Sequence, residues 1–199
     1  MLDLFVPEGP PALEGVGFGR RALAHGIDLV VHTLVGSAIG IAATILVMVG
    51  AGLQGVSPNA ALARMSGTTA LGIVAAILGS TAMHTLCEGL HGSTIGKRLC
   101  GIIVIAEDGG QATLAGAMKR NLAYYVDSLF FGLVAYQKMS ESPKRQRIGD
   151  HWGRTMVVRL AEIDPSTRPS GLRFAAATLV GLTADGLAMF IELASRFLS

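Results

Sequence analysis

The apolar positions of this chain fall into long unbroken blocks rather than into the stripes of a soluble helix. No charge follows Asp28 up to Gly52, and none occurs from Gly67 until Glu88; from Phe174 to Leu198 only Asp185, Glu192 and Arg196 interrupt. Each block exceeds the ~20 residues that a ~30 Å hydrocarbon core demands. The pattern predicts spanning helices over 19–52, 65–90 and 172–199. A fourth apolar run, Leu122 to Tyr136, is shorter and contains Asp127. Two β-branched runs, Ile102 to Ile105 and Thr155 to Leu160, are too short to span, and Glu107-Asp108-Gly109-Gly110 closes the first as a turn. They predict strands over 101–106 and 155–160. The expected fold is an all-α membrane protein. It has three transmembrane helices, a re-entrant or interfacial helical hairpin over 114–140, and a small two-stranded β element at the cytoplasmic face.

Composition agrees with this picture. Of 199 residues 51% are hydrophobic and only 15% charged, against roughly a quarter charged in soluble domains. A net charge of +2 gives no reason to expect nucleic acid. The placement of charge says more than its sum. Of the 16 basic residues, all but Arg64 and Arg196 fall within 20–21, 97–120 and 138–173. The positive-inside rule puts those segments in the cytoplasm. Both flanks of the fourth apolar run then lie on one side, so that run should dip in and return, breaking near Asp127 to Gly132. Irregular backbone at membrane depth needs protein around it, so the other helices should cover the bend. Residues 1–18 form a Pro/Gly-rich cytoplasmic tail without the features of a signal peptide. Residues 161–171 form a linker, and the last helix carries the C-terminus outside. Cys87 and Cys100 have no paired spacing.

One string occurs twice. Arg20-Arg21-Ala22-Leu23-Ala24-His25-Gly26-Ile27-Asp28 is matched 99 residues on by Lys119-Arg120-Asn121-Leu122-Ala123-Tyr124-Tyr125-Val126-Asp127. Ile95-Gly96 before the first strand is likewise matched by Ile148-Gly149 before the second. This order suggests a duplication that places Asp28 and Asp127 equivalently. A charge at membrane depth costs ~2.5–3.5 kcal/mol on the insertion scale, so each carboxylate needs a partner or a task. Two readings stand. In one, Arg21 holds Asp28 and Arg120 holds Asp127, locking the helices. In the other, the carboxylates titrate and bind a cation or proton, since desolvation raises a carboxyl pKa.

Other constellations are weaker. His25 and His32 share a face with Asp28, while His84, Cys87, Glu88 and His91 share a face of the second span through steps of three and four. Such donors can hold a transition metal or a haem, but polar helix packing accounts for them more simply, and neither metal nor cofactor is expected. Gly36 with Gly40, and the ridge Gly72, Ala76, Ser80, His84, Glu88, are candidate helix contacts. Lys144, Arg145 and Arg147 suit anionic headgroups, and Trp152 suits the interface. No phosphate-binding loop or nucleophile arrangement is present, so no enzymatic activity is expected.

Gly-Phe-x-Arg-Arg-x-x-Ala-x-x-Ile-Asp at Gly17 to Asp28 and Glu-Gly-x-x-Gly-x-Thr-Ile-Gly-Lys-Arg-x-x-Gly-Ile-x-Val at Glu88 to Val104 resemble the RDD family of membrane proteins. Arg120-Asn121, Asp127 and Arg145 to Asp150 extend the resemblance over about residues 15–160, with a small departure in spacing at Gly92. The family's one arginine and two aspartates carry over to Arg21, Asp28 and either Asp127 or Asp150; Glu88 and Arg120 also fit family positions. The resemblance implies a multi-pass protein of the prokaryotic inner membrane. It also implies transport or cation/proton antiport through buried carboxylates as one activity. The alternative is a non-catalytic membrane subunit, assembly factor or scaffold. Three spans and a hairpin leave little room for a closed pathway, which favours a homo-oligomer or a larger membrane complex.

Overall fold

The computed structural model describes residues 13–65 and 70–198. Most of the expected tail, residues 1–12, and the expected start of the second span at 66–69 lie outside the described residues. The described elements are α1 (Phe18–Leu53), α2 (Pro58–Met65), α3 (Ala70–Leu90), α4 (Ile95–Leu99), β1 (Ile102–Ala106), α5 (Leu114–Leu122), α6 (Tyr124–Asp127), α7 (Leu129–Glu141), α8 (Ile148–Gly153), β2 (Thr155–Arg159) and α9 (Gly171–Leu198). Three helices, α1, α3 and α9, are long and apolar enough to cross a membrane. Their outer faces are apolar and exposed, with Leu34, Ile45 and Leu46 on α1, Ile73 and Leu78 on α3, and Leu179 and Ile191 on α9. Between the first two spans lies α2, which opens on Pro58, where a missing N–H leaves no helical bond unmade.

β1 and β2 pair antiparallel with Ile102 opposite Arg159 and Ile105 opposite Met156, the pairing expected from their spacing. Both faces of this ribbon are covered. Ile102, Val104 and Val157 pack on Val16 and Ala24, while Ile103, Ile105, Met156 and Val158 pack under Leu13, Leu160 and Ile163. The Val16 amide donates to the Val157 carbonyl at 2.8 Å, which ties the segment before α1 to β2.

Small residues bring the long helices together, at the expected Gly36 and at glycines that the sequence did not single out. A Cβ on Gly79 would lie 2.6 Å from Asp185 Oδ1, and one on Gly181 would lie 2.7 Å from Cys87 Sγ, so α3 and α9 touch across glycines. Gly36 packs against Met189, whereas Gly40 meets nothing. The ridge Ala76, Ser80, His84 lines a cavity, and His84 at its end approaches His25 of α1 with ring centroids 5.6 Å apart. The fourth apolar run breaks within the expected stretch, where Phe130, Phe131 and Gly132 all adopt positive φ.

Candidate functional site

The two copies of the repeated string do the same mechanical work. Asp28 on α1 accepts the Thr94 hydroxyl at 2.6 Å and the Gly96 amide at 2.8 Å, both at the start of α4. Asp127 on α6 accepts the Ile148 and Gly149 amides, each at 3.1 Å, at the start of α8. Each carboxylate therefore satisfies N–H groups that a helix start leaves without partners. The glycines permit this approach. A Cβ on Gly96 would overlap the Ala24 carbonyl, and one on Gly149 would lie 2.6 Å from the Arg120 carbonyl and 2.9 Å from Asp127 Oδ2. Thr94 and Arg147, the residues before the two helices, also correspond: the Thr94 hydroxyl reaches Asp28, and Arg147 Nε lies 3.3 Å from Asp127 Oδ2.

The arginines do not go where the sequence suggested. Arg21 passes by Asp28, donates to Asp150, and adds bonds to the Val16 and Arg145 carbonyls at 2.8 Å each. Arg120 lies between Asp150 Oδ1 at 2.6 Å and Glu88 Oε2 at 2.7 Å rather than on Asp127. The reason is geometric. Residues seven apart on one helix sit about two turns, ~10 Å, from each other, so the basic group of each string must find its acid on another element.

Glu88 also pairs with Lys97, and Asn121 Nδ2 donates to it at 3.3 Å. The result is an alternating chain, Lys97–Glu88–Arg120–Asp150–Arg21, with Arg147 beside both Asp127 and Asp150. Glu88, Arg120, Asp127 and Asp150 are essentially inaccessible. Burial pushes the Asp150 carboxyl up, but Arg21, Arg120 and Arg147 outweigh it and hold the group well below the usual carboxylate range. Four cations face four carboxylates, Asp28 included, so the buried charge cancels.

Sequence reasoning singled out Arg21, Asp28, Glu88, Arg120, Asp127 and Asp150, and the structure brings all six into this one region. It missed Lys97 and Thr94 as members and took Arg147 for a surface group. The triplets Thr94-Ile95-Gly96 and Arg147-Ile148-Gly149 carried the signal, since they occupy the same place in each repeat. Lys144 and Arg145 stay exposed, and Arg145 pairs with Glu14 at 2.6 Å.

His25 and His84 come together, their ring centroids 5.6 Å apart, and the other histidines disperse. His32 Nδ1 lies 2.8 Å from Asp185 Oδ2, which gives that intrahelical carboxylate its partner. His25 meets the Tyr124 hydroxyl at 2.7 Å. His91 lies beyond the end of α3, buried against Phe174 with ring centroids 5.1 Å apart. Among the described residues no three His, Cys, Asp or Glu side chains are grouped as a metal site.

Two cavities flank the His25–Tyr124 contact. One, of about 380 Å³, lies between α1, α3 and α5–α6; the other, of about 400 Å³, lies between α1 and α6–α7. Arg21, His25, Tyr124 and Arg147 line both. Nothing matches this chain among curated proteins or among solved structures. A family model described as the RDD family matches residues 16–154.

Proposed function

The chain belongs to the RDD family, and on that premise we propose that it is a non-catalytic membrane protein whose family arginines and aspartates lock the helices of a multi-pass scaffold. One observation carries this reading: Asp28 and Asp127 are each committed to two donors at the start of the next short helix. A carboxylate that caps a helix and sits in a neutral charge network is poorly suited to exchanging cations. The exposed apolar faces of α1, α3 and α9 support residence in the bilayer. The basic segments put α4, α8 and the β ribbon at the cytoplasmic face. On this reading α5 to α7 form a re-entrant hairpin whose exposed Phe130 and Phe131 meet lipid, and the C-terminus lies outside.

A second reading, a small transporter or cation/proton antiporter, is favoured by the two cavities separated by His25 and Tyr124. One substitution separates the two. Asp28→Asn protein is purified and reconstituted, and its thermal stability and its ion flux in vesicles are measured beside the wild type. The lock predicts a clear loss of Tm and no wild-type flux to lose. A variant as stable as wild type that has lost a measurable flux would establish the transporter instead.

A further inference from the structure

One side of the charge network points to a ligand. Arg21, Lys97, Arg120 and Arg147 all line the cavity between α1 and α3, and none of Asp28, Glu88, Asp127 or Asp150 does. The network is neutral, but it is layered: its cations face the cavity and its carboxylates stand behind them. An occupant therefore meets the positive side of several short ion pairs, in surroundings where charges are weakly screened. Guanidinium groups keep donors to spare, since each carries five N–H groups.

A second observation is independent of those cations. His84, 7% exposed, lines the same cavity, and its Nδ1 lies 2.9 Å from the Ser80 carbonyl, which can only accept. Its buried Nε2 has no hydrogen bond, and the nearest carboxylate oxygen, on Asp28, is 3.7 Å away. A buried polar atom without a partner is uncommon in a finished site. With Nδ1 donating, Nε2 of the neutral ring accepts, so a hydroxyl group carried by an occupant of the cavity would supply one.

The mouth of the cavity adds the remaining chemistry. Leu29 on α1 and Ile77 on α3 line it and are exposed at 57% and 41% on the apolar outer faces of those helices. Where those helices cross a bilayer, these residues face acyl chains. A volume of about 380 Å³ exceeds what a phosphate alone would fill and lies within the usual range of ligand pockets. We infer that this cavity binds a phosphate-bearing anionic group, delivered laterally as the headgroup of an anionic phospholipid, with its tail leaving between Leu29 and Ile77. Basic pockets between membrane helices are suited to such headgroups. The inference rests on membrane residence but not on the structural role of the aspartates.

The test uses the full chain in mild detergent, with Tm followed during titration by short-chain phosphatidylglycerol, short-chain phosphatidylcholine or inorganic phosphate. A ligand that binds only the folded protein raises Tm in a saturable way. Phosphatidylglycerol should do so and phosphatidylcholine should not. A flat response to inorganic phosphate assigns the site to lipid; an equal response to it assigns the same anion chemistry to a soluble source and overturns lateral delivery. His84→Gln should weaken the phosphatidylglycerol response. Ala76→Phe, which fills the cavity from α3, should abolish it while the protein stays folded. Equal responses to both lipids, or a phosphatidylglycerol response unchanged in folded Ala76→Phe protein, would overturn the proposal. Loss of stability in Asp28→Asn with this response intact in the wild type keeps the two questions separate.

Discussion

Asp150 is where the two repeats meet, because it accepts from Arg21 of the first string and from Arg120 of the second. Neither pairing was legible in the sequence. The partners are 129 and 30 residues apart, and no local spacing chooses among the acids that an arginine can reach. What could be read was the recurrence, in the same order, of the Asp string and of the Ile-Gly pair; that each Asp caps its glycine could not, because the two lie 68 residues apart in one repeat and 22 in the other. His91 offers a prediction at this scale. Burial, then Arg98 and Arg173, lower its pKa from 6.5 to about 4. The folded state therefore resists a proton that the unfolded chain accepts. The sign follows: this contribution is fully present above pH ~6.5 and is lost as pH falls towards about 4. Tm measured between pH 7 and pH 4 should fall in the wild type, and His91→Gln should flatten the part of that fall above pH ~5. An identical profile in the variant would remove His91 from the account.

The short helices α4 and α8 are the elements on which the fold turns, since each is seated on an aspartate through a glycine. Gly96→Ala forces a methyl into the Ala24 carbonyl, and Gly149→Ala forces one against the Arg120 carbonyl. Backbone cannot step aside as a side chain can, so each change should cost about 2–3 kcal/mol or more. Gly40→Ala, with nothing within 4 Å, should be neutral or should stabilise α1 by up to about 1 kcal/mol. Thermal unfolding of the three variants checks this contrast, and a Gly40 variant as damaged as the others would contradict it. The contrast also shows the limit of reading small residues from sequence. Gly36 and Gly40 differ by one helical turn, yet only Gly36 meets α9. Ala76, Ser80 and His84 have the spacing of a helix contact and border a cavity. A period of four identifies a face but not what lies opposite. The left-handed Phe130 and Phe131 had no sequence signal either, because bulky residues rarely adopt positive φ.

At the scale of the whole molecule, three apolar helices carry a compact polar assembly at one end of α1 and α3, built from α4, α5, α8 and the β ribbon. The block pattern made the helices legible, and the two β-branched runs made the ribbon legible. The sidedness of the assembly is a proposal with a direct check. A cysteine at Ser142 should be labelled only by reagents that enter the cytoplasm, and labelling from outside would remove the re-entrant hairpin. The central claim is that the two repeats are clamped through Arg21 and Asp150 as a structural lock. A double-mutant cycle on Arg21→Gln and Asp150→Asn, read as unfolding free energy in detergent, tests it most directly. Breaking one side of a buried pair is expected to cost about 3–5 kcal/mol. The account predicts two damaged single variants, and a double variant better than their sum by about 1–3 kcal/mol. Losses that add to within about 0.5 kcal/mol would contradict the lock.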